Sequence, residues 1–301
     1  MVGGPSTLYP RPSILFFRRF TINDSQYTIN GSSHERGKMM DIVVCVKQVP
    51  LTAEAEVTVD DSERDIKKER LVFDVNEADN YAVEEALLLT EKFGGTITLI
   101  TLGPDSADKM LRSLLAKGAH EAVRLTDLRF AGSDAYATAK TLSGALKGMK
   151  ADLILTGCYA SDDGYSQVGA TLAELLGLPH ASLVTGLEIL NGKAQIEREL
   201  EGGTHELLEI DLPAVLTIQT GINEPRYASI LGLRKAMNKP IQVLSLSDLE
   251  LTESEVGPAG SRTTLEKLFA PPKGKGAQIL TGAPEEVSAE LAEIFRERGV
   301  V

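Results

Sequence analysis

Thr156-Gly-Cys-Tyr-Ala-Ser-Asp-Asp-Gly-Tyr-Ser-Gln-Val-Gly169 follows the apolar run Asp152-Leu-Ile-Leu155 and leads directly into Ala170-Thr-Leu-Ala-Glu-Leu-Leu176. A buried strand, a turn of Gly, Asp, Ser and Gln, and a helix therefore meet at one point. In an open α/β sheet this is where backbone N–H groups and the positive end of a helix hold a phosphate. The turn carries no Lys or Arg, so an anion there depends on amides, hydroxyls and Gln167. The competing reading is an ordinary strand-to-helix connection whose helix is capped by Asp163 or Ser166.

The same strand-and-helix grammar runs back toward the amino terminus. Ile42-Val-Val-Cys-Val46 is a short β-branched run that reads as a buried strand. Asp79 to Phe93 places Ala82, Val83, Ala86, Leu87 and Leu89 at helical spacing and stops at Gly94-Gly95. Thr96 to Leu102 is the next strand, closed by Gly103-Pro104. Asp105 or Ser106 then opens a helix bearing Met110, Leu111, Leu114 and Leu115. Ala122 to Leu125 is a third strand, and Ser133 or Asp134 opens a helix with Tyr136, Ala139, Leu142 and Leu146. Strands that alternate with helices predict βαβ units, and hence a doubly wound, mostly parallel sheet of the Rossmann-like, nucleotide-binding type.

After Pro179 the pattern changes. Ser182–Leu190 and Ala194–Leu200 flank Asn191-Gly192, which predicts an antiparallel hairpin. Gly202-Gly203 turns the chain into Glu206–Leu212, and Pro213–Ile218 is a further strand. These are hairpin extensions of the parallel sheet. Beyond about residue 250, Gly257-Pro258, Pro271-Pro272 and Lys273-Gly-Lys-Gly276 read as a linker. It leads to an amphipathic helix from Pro284 to Gly299, with Val287, Leu291, Ile294 and Phe295 on one face. Residues 1–40 hold Pro5, Pro10 and Pro12 and sustain no period, with Met39 or Met40 as the expected functional beginning. The expected organisation is a leader or disordered segment at 1–39, an α/β nucleotide-binding domain at 40–250, and a carboxy-terminal arm and helix at 251–301.

Composition narrows the function. A net charge of −12 over 301 residues argues against nucleic acid or an anionic membrane surface as partner. No apolar run approaches the roughly 20 residues that cross a bilayer. Cys45 and Cys158 are the only cysteines, so no disulfide framework is expected and both read as inert core thiols. A reducing compartment follows: the cytoplasm, or the mitochondrial matrix in a eukaryote. The four histidines and two cysteines show no zinc-like spacing. No nucleophile elbow, Walker A loop or H-E-x-x-H pair is present. Nor does G-x-G-x-x-G follow the first strand, where Lys47-Gln-Val-Pro50 stands instead. With no catalytic residue to assign, the loops Lys47–Thr52, Asp74–Asp79 and Gly157–Gly169 point to a cofactor carrier.

These residues also carry a resemblance. Val46-Lys-Gln-Val-Pro50, Asn76-x-x-Asp79 with Ala82-Val-Glu-Glu-Ala86, and Leu102-Gly-Pro104 resemble the beta subunit of electron-transfer flavoproteins. So do Leu115-Ala-x-Gly-Ala119, Ala160-Ser-Asp162 with Gln167-Val-Gly169, Arg198-Glu-x-Glu-Gly-Gly203, and Asn223-Glu-Pro-Arg-Tyr227, in the order the family uses. The match spans roughly residues 40 to 301. It departs from the family at Glu77, where many members carry Pro, and at Leu51, where they carry Asp.

The resemblance implies a heterodimer with an alpha subunit that shares one FAD and relays electrons from flavin dehydrogenases, such as acyl-CoA dehydrogenases, to a downstream acceptor. It also implies a nucleotide in this chain's own sheet: AMP, or a second FAD where the protein oxidises NADH and bifurcates its electrons. Ala160, Asp162, Gln167 and Gly169 would then lie on the phosphate side, in one loop with Gly157 and Val168. Asn76, Asp79 and the backbone of Val46, Lys47 and Val49 would flank the adenosine. Pro225, Arg226, Tyr227, Ile230 and Lys235 map to a loop that touches dehydrogenases, with Ile230 as apolar anchor. The arm and last helix would wrap onto the alpha subunit. A more distant alternative is an adenine-nucleotide-sensing domain like the universal stress proteins, which have the same sheet but no flavin.

Overall fold

The computed structural model describes residues 39–52, 55–272, 274 and 276–300, and the leader expected at 1–39 lies outside them except for Met39. The strands are β1 (Met40–Cys45), β2 (Gln48–Pro50), β3 (Phe73–Val75), β4 (Gly95–Leu102), β5 (Glu121–Leu125), β6 (Leu153–Gly157), β7 (His180–Leu190), β8 (Lys193–Leu200), β9 (Thr204–Asp211), β10 (Ala214–Ile218) and β11 (Gln242–Leu244). The helices are α1 (Glu77–Phe93), α2 (Asp108–Lys117), α3 (Ala135–Leu146), α4 (Val168–Leu176), α5 (Ile230–Met237), α6 (Gly257–Gly260) and α7 (Pro284–Glu297).

Nine strands form one sheet in the order β11-β5-β4-β1-β6-β10-β7-β8-β9. It is parallel from β11 to β7 and antiparallel through β8 and β9. The doubly wound, mostly parallel architecture with hairpin extensions is therefore the one the alternating pattern predicts. Period-2 alternation sends each strand's side chains to two cores. Ile42, Val44, Leu99, Leu153, Leu155 and Leu216 pack with α1 and α2, while Val43, Ile100, Ile154 and Val215 pack with α3 and α4. Each such buried side chain contributes about 1.5–3 kcal/mol, which is why strands covered on both faces read as continuous apolar runs.

From β1 the chain winds outward through β4 and β5, then α3 returns it to β6 on the other side of β1. The carboxyl ends of β1 and β6 thus form the topological switch point of the sheet, the crevice where such folds bind ligands. Antiparallel pairing of β2 with β3 brings Asn76 back beside Lys47, whose carbonyl accepts the Asn76 N–H at 2.9 Å. Asn191 and Gly192 both take positive φ between β7 and β8, as a tight hairpin turn requires.

Among the described residues, those of 39–56 and 69–264 make one compact unit, and those of 57–68 and 265–300 make a second. In the second unit a short hairpin is closed by a Val59–Ile66 bridge, and the Leu268 N–H donates to the Glu63 carbonyl at 2.7 Å. The helix expected from Pro284 is present as α7, and none of its residues is buried.

One segment differs from expectation. Pro225–Lys235 reads in sequence as a loop, but its second half is α5. Ser229 caps it by accepting the Gly232 N–H at 3.0 Å. The face α5 turns to α2 is built from Gly232 and the buried Ala236. Arg112 on α2 donates to the carbonyls of Ala236 and Met237, both at 2.9 Å. A Cβ at Gly232 would stand 2.2 Å from the Ala116 carbonyl oxygen. Gly232→Ala is therefore expected to lower the unfolding free energy by about 1–3 kcal/mol, measured by urea denaturation.

Candidate nucleotide-binding site

The switch-point crevice is assembled around the first turn of α1. Asp79 is buried there, and its carboxylate spans the two strand ends. Oδ2 accepts the Lys47 N–H at 2.7 Å, just beyond β1, and Oδ1 accepts the Gly157 N–H at 2.8 Å, at the end of β6. Asn76, 1% exposed, ties down the next stretch of chain. Its Nδ2 donates to the Tyr159 carbonyl at 2.8 Å and its Oδ1 accepts the Ser161 N–H at 3.1 Å. Both side chains thus hold loops in place.

Gly157 and Gly169 are required by close packing. A Cβ on Gly157 would lie 2.3 Å from Asp79 Oδ1, and one on Gly169 would lie 2.4 Å from Thr217 Cγ2 and 2.7 Å from Thr156 Oγ1. The first lets the start of α1 press against β6, and the second lets α4 begin flush against β6 and β10. Val46 and Val49 are buried.

The turn itself is exposed from Ser161 to Gln167. The Gly164 N–H donates to the Ala160 carbonyl at 2.8 Å, and both Gly164 and Ser166 adopt positive φ. Helix α4 starts after Gln167 with no side-chain cap, so neither Asp163 nor Ser166 plays the capping role that a plain connection would give it. Asp163 instead accepts the Tyr165 N–H at 3.2 Å. The uncapped amides at the start of α4, with the helix's positive end behind them, have the donor chemistry that an anion needs.

The structure also brings in a cation that the turn lacks. Lys47 Nζ lies 2.6 Å from Asp162 Oδ1 and 2.7 Å from Asp163 Oδ2. Burial alone would lower the Lys47 pKa, but these two carboxylates outweigh it and raise it. Asp163 was not among the residues expected on the phosphate side, and no local pattern links it to Lys47. Their separation of 116 residues is closed only by the parallel sheet.

Burial pushes the Asp79 carboxyl up to about 7, against the Lys47 and Gly157 amides, the Asn76 side chain and the Lys47 charge, all of which favour the ionised form. Cys158, hydrogen-bonded to Gln219 Oε1 at 3.2 Å, is raised by burial to about 11, and Cys45 is raised further for the same reason. Both thiols stay protonated, in keeping with inert core cysteines.

The residues expected at the docking loop lie elsewhere on the first unit. Tyr227 is 96% exposed and Ile230 80%, and Lys235 is exposed on α5. Arg226 turns inward instead, against α1. Among the described residues no helix is long and apolar enough to cross a membrane.

The fold and crevice place the chain among the doubly wound α/β proteins. The sequence profile of the family described as electron transfer flavoprotein domain matches residues 66–249. The chain is 38% identical over 262 residues to the electron transfer flavoprotein subunit beta of Methylophilus methylotrophus, covering 86% of this chain and 98% of that one. It is 39% identical over 263 residues to the same subunit of Thermoanaerobacterium thermosaccharolyticum, covering 87% and 100%. Its identity to subunit CarD of the caffeyl-CoA reductase-Etf complex of Acetobacterium woodii is 36% over 265 residues, covering 87% and 100%. The chain belongs to the electron transfer flavoprotein family, as a beta subunit. Membership carries flavin- and nucleotide-linked cofactor binding in general terms.

The raised pKa of Asp79 has a defined sign in stability. Folded Asp79 keeps its proton to about pH 7, whereas the unfolded group loses it near 3.8, so the folded state binds more protons in between. The contribution of Asp79 to stability is therefore largest below about pH 4, falls as pH rises toward 7, and is level above. Relative to Asp79→Asn, the unaltered protein should gain about 2–4 kcal/mol as pH drops from roughly 7.5 to 4.5. Urea unfolding of both proteins across that range checks it, and parallel pH profiles would contradict the assignment.

Proposed function

We propose that this chain pairs with an alpha subunit as a heterodimer sharing one FAD, and holds AMP in the switch-point crevice of its own sheet. The assembly relays electrons from flavin dehydrogenases, such as acyl-CoA dehydrogenases, to a downstream acceptor. The observation that carries the nucleotide part is the uncapped start of α4 at the switch point, with its approach set by Asp79 and Asn76. Gln167, Val168 and Gly169 would offer amides to a phosphate, with Gly157, Ala160 and Asp162 lining the turn opposite. The backbone of Val46, Lys47 and Val49 would flank the adenosine.

Lys47 fits this role because its present ion pairs are partly exposed. Exposed pairs contribute only about 0–1 kcal/mol, so turning its ammonium toward a phosphate costs little. One helix terminus and one lysine suit a single phosphate, while Asp162 and Asp163 repel a second. That balance favours AMP over the pyrophosphate of a second FAD. A bound flavin supplies the electron chemistry, and this chain's residues bind, orient and present it. The two buried, unpaired thiols suit the cytoplasm as setting.

Two features support docking. Tyr227, Ile230, Leu231 and Met237 are large, apolar or aromatic and exposed on or beside a helix anchored to α2. On α7, Leu291 and Phe295 are likewise exposed, as a helix awaiting an alpha subunit would be.

Co-expression with the alpha subunit and extraction of nucleotides tests the reading. One FAD and one AMP per heterodimer is the expected yield. Two FAD would replace AMP by a second flavin, and an empty folded heterodimer would sink the crevice assignment. Separately, Ile230→Asp should raise the KM for reduction by an acyl-CoA dehydrogenase about tenfold or more, the loss of one apolar anchor, with nucleotide content unchanged.

A further inference from the structure

Helix α1 buries two consecutive glutamates, Glu84 and Glu85, between core positions. Buried carboxylates persist only with partners. Both find theirs on one segment, residues 223–226. Asn223 Nδ2 donates to Glu85 Oε2 at 3.0 Å and to the Tyr81 carbonyl at 3.1 Å. Arg226 engages Glu84 three ways. Its backbone N–H donates to Oε2 at 2.9 Å, its Nε donates to Oε1 at 2.9 Å, and Nη2 lies 2.8 Å from Oε1. Nη1 reaches Glu91 Oε1 at 2.5 Å, about two turns further along α1.

The Glu84 side chain is 4% exposed and that of Arg226 34%, so the carboxylate end of the pair lies out of water, where a charge-assisted, multidentate contact is strongest. Hydrogen bonds to the Glu91 and Glu84 carboxylates raise the Arg226 pKa, so its charge is permanent. From Gln219 to Ser229 the chain has no helix or strand of its own. Its course there is set by side-chain contacts to α1. The residue after Arg226 is the fully exposed Tyr227, and three residues later comes Ile230.

We propose that the Glu84–Arg226 pair is a positioning device for partner recognition: it fixes the segment before α5, so that Tyr227 and Ile230 are presented already ordered to an electron-donating flavoprotein. This rests on the docking reading above and assigns Arg226 to the interior of its own subunit rather than to the partner. The physical gain is preorganisation, since a segment ordered beforehand does not lose that freedom on binding. Asn223, through Glu85 and the Tyr81 carbonyl, extends the same attachment to the preceding turn of α1.

The test uses the heterodimer purified with its alpha subunit and an acyl-CoA dehydrogenase that reduces the unaltered protein, charged with its acyl-CoA. Arg226→Lys keeps the charge but not the fork. The double variant Glu84→Gln with Arg226→Met removes both charges and leaves none buried alone, so it keeps the fold where a single deletion could fail. Both should raise KM about tenfold with a smaller change in kcat, while amide hydrogen exchange speeds up across residues 224–234 and dithionite reduces the flavin as before. Ile230→Asp runs alongside. If it raises KM while the Arg226 variants loosen the segment without moving KM, the positioning role is overturned and the docking surface stands. If Ile230→Asp also leaves KM unchanged, the docking reading itself falls.

Discussion

The arrangement of this molecule depends on one buried carboxylate. Parallel strands end in loops that nothing in the ladder holds, and at the switch point two such ends diverge. Asp79 joins them by accepting one amide from each, at Lys47 and Gly157. Water is excluded there, so the directed donors offset only part of the energetic cost of burying the carboxylate, and the loops follow it. Asn76 extends the restraint to Tyr159 and Ser161, and the absence of a side chain at Gly157 permits the approach. The crevice is therefore shaped by α1, while the donors facing it belong to α4.

The same helix serves a second surface. Its first turn orders the crevice, and its middle turns, through Glu84 and Glu85, order the segment that leads to α5. A helix is rigid over this length, and acidic groups at both levels are tolerated because each faces a fixed donor. A carrier has two tasks, to hold a cofactor and to meet partners. Here both are referred to one element packed on the centre of the sheet.

Most of the architecture was legible because β1, β4, β5 and β6 are short β-branched or leucine-rich runs separated by helices whose ends the sequence punctuates. Asp134, for example, caps α3 as its position suggested, accepting the Ala137 N–H. Helix α5 was hidden because its buried face consists of Gly232 and Ala236, leaving its large apolar residues on the outside and no inward stripe to read. The turn after β6 could be located, but its chemistry could not. Lys47 reaches Asp162 and Asp163 across 115 and 116 residues, a link that exists only once β1 and β6 are adjacent. Likewise nothing local distinguishes Arg226 as an interior residue, since its partner Glu84 lies 142 positions away.

The two cysteines show a second consequence of burial at these strand ends. Cys45 ends β1 and Cys158 follows β6, so both stand at the crevice. Burial is the main reason their thiols remain protonated, and the negative charge of Asp79 acts in the same direction on each. A thiol at this position is a latent nucleophile and a latent reductant. Burial, more than the nearby carboxyl, keeps both sulfurs protonated and so unreactive. The group that sets the geometry of the crevice thus adds, as a lesser contribution, to the restraint that burial places on the thiols beside it.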